Sequence, residues 1–158
     1  MKAFLETILL NVVAVALVAG FFIMVAKAEA SPTRIEKAAN LAGAINGIDP
    51  DLVMAIIEVE SHFNPKAVGG KGERGLMQLR PQFFPDASFN IERNIFQGVA
   101  HLAVVRERCA HKQDLTWVTC FNGGTSRYLK DPTANVYYQR VMNAYLRRVG
   151  ATARAKNY

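Results

Sequence analysis

Glu60 closes the apolar run Val53-Met54-Ala55-Ile56-Ile57-Glu58-Val59-Glu60-Ser61. At helical spacing it falls on the face of Val53, Ile56 and Ile57. Glu58 falls on roughly the opposite side, where an exposed carboxylate belongs. A carboxyl group on the buried face, in the last turn of a helix, meets two effects that raise its pKa. Desolvation disfavours its charge, and so does the negative end of the helix dipole. An acid that keeps its proton near neutral pH can protonate a leaving oxygen, as glycosidic cleavage requires. The alternative for this residue taken alone is a glutamate at the edge of the stripe that snorkels to water.

Helical elements must position that group, since no segment shows the alternation of a strand. Ile35, Ala38, Ala39, Ala42 and Ile45 form one stripe, and Gly47 can end that helix. Asp49-Pro50 supplies an N-cap and a first-turn proline for the helix carrying Glu60. A loop rich in Pro and Gly runs from His62 to Gly75, and Gly75-Leu76-Met77-Gln78-Leu79 is a short apolar turn before Pro81. From Ile91 to Cys109 a longer helix places Ile91, Ile95, Gly98, Leu102, Val105 and Cys109 on one side, with Gly98 implying close approach of another backbone. Leu115 to Phe121 is a short helix closed by Asn122-Gly123-Gly124. Asp131-Pro132 repeats the cap-and-proline start for a last helix striped by Tyr137, Tyr138, Val141, Tyr145 and Val149. The expected fold is one all-α domain over residues 31–149 with a frayed tail at 150–158.

Residues 8–26 are apolar except for Asn11, behind a short segment carrying Lys2. Ala26-Lys27-Ala28 and Ala28-Glu29-Ala30 resemble signal-peptidase sites. The run is long for a cleaved signal and just long enough to span a bilayer, so residues 1–30 read as a signal peptide or an apolar helical anchor in the inner membrane. Either way the remainder is expected outside the cytoplasm, exported to the periplasm or held at its face. The chain carries 19 Lys and Arg against 13 Asp and Glu, and removing residues 1–30 takes two of each and leaves +6. A basic surface suits an anionic polymer. The charges are scattered, which argues against nucleic acid as the partner. Cys109 and Cys120 flank a predicted turn at 110–113 and read either as a disulfide in an exported domain or as two small buried hydrophobes. The three His and two Cys lie at no ligand spacing, so neither a metal nor a cofactor is expected.

Taken together, four segments resemble the catalytic domain of the soluble lytic transglycosylase family, which has a lysozyme-like fold. They are Glu60-Ser61-His62-Phe63-Asn64-Pro65-Lys66-Ala67-Val68; Gly75-Leu76-Met77-Gln78-Leu79; Asn94-Ile95 with Gly98 and Leu102; and Phe121-Asn122-Gly123-Gly124 followed by Tyr137 and Val141. They span roughly residues 40–146, in the family's order. The resemblance implies that Glu60 is a lone acid/base acting on peptidoglycan. It would cleave the bond from N-acetylmuramic acid to N-acetylglucosamine and close a 1,6-anhydro ring. Gln78 would line the cleft, and Asn122 would line it or take a positive backbone dihedral before two glycines. Tyr137 would point its hydroxyl towards the catalytic acid, the alternative being an aromatic of the core. Ser61 is a candidate for positioning the loop, and Met77 for packing under a sugar ring or filling the core.

Three departures from the family pattern bear on this reading. Gly69 stands where many relatives carry Ser, Phe121 replaces the commoner Tyr, and Glu73 stands where Ala is common. Turned inwards, Glu73 could activate water and make the protein a muramidase; turned outwards it is a solvated loop residue. A reading from another class is an inactive, membrane-held glycan-binding or assembly protein. Wall-cutting proteins of this kind accompany secretion, pilus, conjugation and phage machines, and nothing in the residues chooses among these.

Overall fold

The structure, a computed structural model, describes residues 33–109, 115–124 and 135–155. The apolar run at 8–26 and the Asp131-Pro132 start lie outside the described residues. Among the described residues no helix is long and apolar enough to cross a membrane, and the secondary structure is helical apart from isolated bridges in one loop.

Helix α1 spans Arg34–Asn46. It opens with a capping box, in which the Thr33 hydroxyl accepts from the Glu36 amide while the Glu36 carboxylate accepts from the Thr33 amide. It closes on Gly47 in the left-handed region. Ala38, Ala39 and Ala42 are buried as their stripe predicts, whereas Ile45 is 66% exposed. The small residues bring α1 close to its neighbours, and the larger residue at the helix end points past them.

Helix α2 spans Pro50–Ser61 and is capped by Asp49, whose carboxylate accepts from the Asp51 amide at 2.9 Å. Leu52 to Ile57 are buried without interruption. A helix apolar on every side has to be the central one, and α2 packs against α1 and, more extensively, against the last helix. Helix α3 (Ile91–Cys109) lies against α1. A 3-10 turn at Leu115–Val118 and the short helix α4 (Thr119–Gly123) follow, and both pack on α3. Helix α5 (Val136–Ala155) begins one residue after Asn135, whose side-chain oxygen accepts from the Tyr137 amide at 2.9 Å. It runs on to Ala155, past the tail boundary expected at 149. Cys109 and Cys120 are joined by a disulfide that ties the end of α3 to α4.

Between α2 and α3 the chain forms a wound loop over residues 62–90, in which Arg74 bridges both Val68 and Leu79. Asn94 on α3, fully buried, pins this loop. Its side-chain oxygen accepts from the Met77 amide at 2.8 Å, and its amide group donates to the carbonyls of Arg74 and Ser88, each at 2.9 Å. Gly98, one helical turn further along α3, makes room for Met77: a Cβ there would collide with the methionine side chain. The close approach expected at Gly98 is therefore made by a side chain rather than by another backbone.

Candidate active site

Glu60 reaches the α2–α5 seam from the last turn of α2. The Tyr137 hydroxyl donates to Glu60 Oε1 at 2.9 Å, joining residues 77 apart in the chain. Burial dominates the carboxyl group's environment and pushes its pKa up to about 7. The Tyr137 hydrogen bond and the Arg140 charge pull the other way, and the Glu73 charge adds to the rise. Burial, and then the neighbouring Glu60, push the Tyr137 phenol well above its ordinary value, so it stays a donor. Beyond Ser61 the chain turns sharply. His62 and Phe63 both sit at positive φ, 50° and 62°, an uncommon conformation for side chains of that size. The turn stops the helix just after the glutamate and leaves its carboxyl group at an edge instead of inside a continuous helix.

The wound loop brings Glu73 and Gln78 to the same site. Glu73 has a side chain 15% exposed, and both of its oxygens are engaged. Oε1 accepts from Arg80 Nε at 2.9 Å, and Oε2 accepts from the Lys71 amide at 2.8 Å. Although burial opposes it, these partners hold the Glu73 carboxyl below the usual range. Gly69 provides the space for this arrangement: a Cβ on it would lie 2.5 Å from Glu73 Oε2 and 2.7 Å from Gln78 Oε1. The two departures at 69 and 73 are thus one structural change, in which a carboxylate fills the place of a side chain at 69. Gln78 sits at φ 47° and donates its amide hydrogens to the carbonyls of Gly75 (2.8 Å) and Ala67 (3.3 Å), which leaves its oxygen directed at Gly69.

The remaining candidates separate. Ser61 is buried, and its hydroxyl donates to the Ile57 carbonyl at 3.0 Å, a local bond within α2. Met77 is 0% exposed and packs against α3, so it belongs to the core and not to a sugar-facing wall. Asn122 is exposed at the end of α4. The Phe121 ring lies against His101, which in turn meets Phe84 edge-on. Among the described residues no group of His, Cys, Asp and Glu could hold a metal ion. Reading the sequence alone missed Arg140 and Arg80. Arg140 stands three residues after Tyr137, on the same helical face, and that spacing was the available signal. Arg80 gave none, because its pairing with Glu73 depends on how the loop winds.

The geometry is that of an all-helical domain with one desolvated carboxyl group at a helix end. Residues 37–138 match the profile of the transglycosylase SLT domain, and the chain belongs to that family. It is 40% identical to an endo-type membrane-bound lytic murein transglycosylase A from Klebsiella pneumoniae, over 40% of this chain and 39% of that protein. It is 41% identical to a membrane-bound lytic murein transglycosylase F from Desulfosudis oleivorans, over 47% and 16%. The chain thus spans well under half the length of these relatives. Among solved structures, an inactive mutant of the lytic transglycosylase Slt from Pseudomonas aeruginosa shares the fold, with a TM-score of 0.57 and 21% identity over 73% of this chain and 24% of that one.

Proposed function

We propose that this protein is a peptidoglycan lytic transglycosylase in which Glu60 acts as both acid and base. The observation that carries the reading is the desolvated Glu60 carboxyl group, raised to about 7 and held by a single phenolic donor. Protonated, Glu60 gives its proton to the oxygen bridging N-acetylmuramic acid and N-acetylglucosamine, and the bond from that oxygen to the anomeric carbon breaks. The resulting carboxylate then takes the proton of the muramoyl 6-hydroxyl as its oxygen bonds to the anomeric carbon. Glu60 ends protonated again, and no water is consumed. Tyr137 keeps the carboxyl group oriented through both steps, while Gln78 and Asn122 contact the glycan. The state of Glu73 favours transglycosylation over hydrolysis. With both oxygens bound to Arg80 and the Lys71 amide, it is poorly placed to serve as the second carboxylate that hydrolytic glycosidases use to activate water.

The names of the relatives fit a site of action at the wall face of a membrane. Delivery there rests on residues 1–30, and sequencing the N-terminus of the exported protein reads out cleavage or anchoring. The activity is tested by mass analysis of fragments released from purified cell walls. The expected products end in anhydro sugars, lighter by one water than hydrolytic products. Glu60→Gln should release about a thousandfold less, a loss within the range of general acid–base catalysis. Reducing-end products from the parent protein would assign it as a muramidase instead.

A further inference from the structure

Beside the catalytic acid lies a cavity of about 200 Å³ between the end of α2 and α5, lined by Glu58, Val59, His62, Arg140, Asn143 and Arg147. We propose that this cavity is a subsite for the carboxylates of the peptide attached to the glycan strand, an inference that rests on the glycan-cleaving function above.

The placement comes from helical spacing. Arg140, Asn143 and Arg147 stand at i, i+3 and i+7 on one face of α5, and Tyr137 is three residues before Arg140 on that face. The wall therefore starts about one turn beyond the tyrosine that holds Glu60 and extends over seven residues, from Arg140 to Arg147, roughly 10 Å along the helix. An extended peptide segment of about three residues covers that length. A strand whose muramoyl unit reacts at Glu60 would carry its peptide from a point next to this wall.

The chemistry fits an acidic peptide better than a neutral sugar. Two guanidinium groups and His62 face one carboxylate, Glu58, which accepts from Arg147 Nη2 at 2.6 Å. Among the described residues no hydrogen bond or ion pair holds Arg140, although its charge is felt at Glu60. A guanidinium with its fork unoccupied is suited to bidentate binding of a carboxylate. Asn143 offers both a donor and an acceptor to a peptide amide. Glu58, released from Arg147 when that residue takes a carboxylate, can receive an ammonium group. Sugar hydroxyls need none of these charges.

The test uses Glu60→Gln in the full chain, which binds substrate without cleaving it. Calorimetry compares muramoyl oligosaccharides carrying their peptides with the same oligosaccharides after an amidase has removed them. The peptide-bearing ligand should bind about tenfold tighter, and adding Arg140→Gln with Arg147→Gln should bring the ratio close to one. Asn143→Asp, which places a carboxylate in the pocket without touching either arginine, should lower the same ratio. A ratio of one before any pocket substitution, or a ratio that none of the substitutions moves, overturns the proposal. So does loss of binding to anionic vesicles in the double arginine variant with the oligosaccharide ratio unmoved, which would assign the basic wall to a membrane surface. Failure of the glycan-cleaving reading looks different: stripped oligosaccharides fail to bind, and the parent protein, with Glu60 intact, forms no anhydro product. Titration with the free tetrapeptide still decides the subsite in that case, binding upholding it and no binding overturning it.

Discussion

The α2–α5 seam and the wound loop at 62–90 each bring one glutamate to the same site, and they treat it in opposite ways. In the seam, apolar neighbours strip Glu60 of water and return one neutral donor, so its proton is held to about pH 7. In the loop, Glu73 is covered too, but a guanidinium and a backbone amide meet its oxygens, and its charge is favoured. Burial alone therefore does not make an acid; a buried carboxyl group keeps its proton only where the surroundings fail to replace the lost hydration. Under the proposed mechanism the contrast divides the labour, with one glutamate to exchange protons and one to hold a fixed charge near it.

The largest effect expected from breaking this contrast comes from Glu60→Gln, which removes the proton and keeps the shape. Besides the thousandfold loss of cleavage, it should change how stability depends on pH. The folded protein holds a proton on Glu60 up to about pH 7, while the unfolded chain releases it near 4.5. The parent therefore loses stability as pH rises across that window and stays at the lower level above it. The glutamine variant has no such loss. Urea unfolding should show it more stable than the parent by roughly 3 kcal/mol at pH 8, with no gain from this source at pH 4.5. A gain equal at the two pH values would mean that Glu60 ionises freely in the folded state.

Next in size is Asn94→Ala, which attacks the loop without touching either glutamate. It leaves the Met77 amide and the carbonyls of Arg74 and Ser88 without their partner inside the protein, at a cost of about 3 kcal/mol. Thermal unfolding measures the loss, and limited proteolysis should find its first new cuts within 62–90. Cuts appearing elsewhere first would show that the loop is held by something other than Asn94.

Much of the α2–α5 seam was legible in the sequence, and little of the loop was. The Asp49-Pro50 start and the apolar run announce α2, and a carboxylate at its end on the stripe side is a local pattern that periodicity reads directly. Tyr137 came from its match to a family motif, because a bond between residues 77 apart has no local signature. Loop geometry depends on tertiary winding. The coupling of Gly69, Glu73, Gln78 and Arg80 joins positions that follow neither helical nor strand spacing, so Gly69 and Glu73 looked like separate departures. Met77 shows the same limit from the other side. An apolar residue in a Gly-rich turn could face a ligand or the core, and only the gap at Gly98 places it in the core.

Tyr137→Phe sharpens the comparison by leaving Glu60 desolvated and without its phenolic donor. The hydrogen bond stabilises the ionised form, so its removal moves the Glu60 pKa further up, and the basic limb of the rate profile should move to higher pH. Orientation is lost as well, and the rate near pH 6 should fall about tenfold. At pH 8 the deficit should be smaller, because more of the variant's acid is still protonated there. A uniform deficit at all pH values would reduce the tyrosine to a packing role.

Glu73→Gln has the smallest expected effect, and its direction is opposite. Glutamine keeps an oxygen for Arg80 and fits the space at Gly69, so the loop should stay folded while one negative charge disappears. Without that charge the ionised form of Glu60 becomes easier to reach, and the basic limb should move to lower pH. At pH 5.5 parent and variant should cleave at the same rate, and above pH 7 the variant should be slower. A loss of equal size at both pH values would mean that the Glu73 carboxylate touches the substrate. A complete loss would promote Glu73 to a second reacting group and revive the hydrolytic mechanism. The two small shifts, one upward from the seam and one downward from the loop, can come together only if both regions act on the same proton.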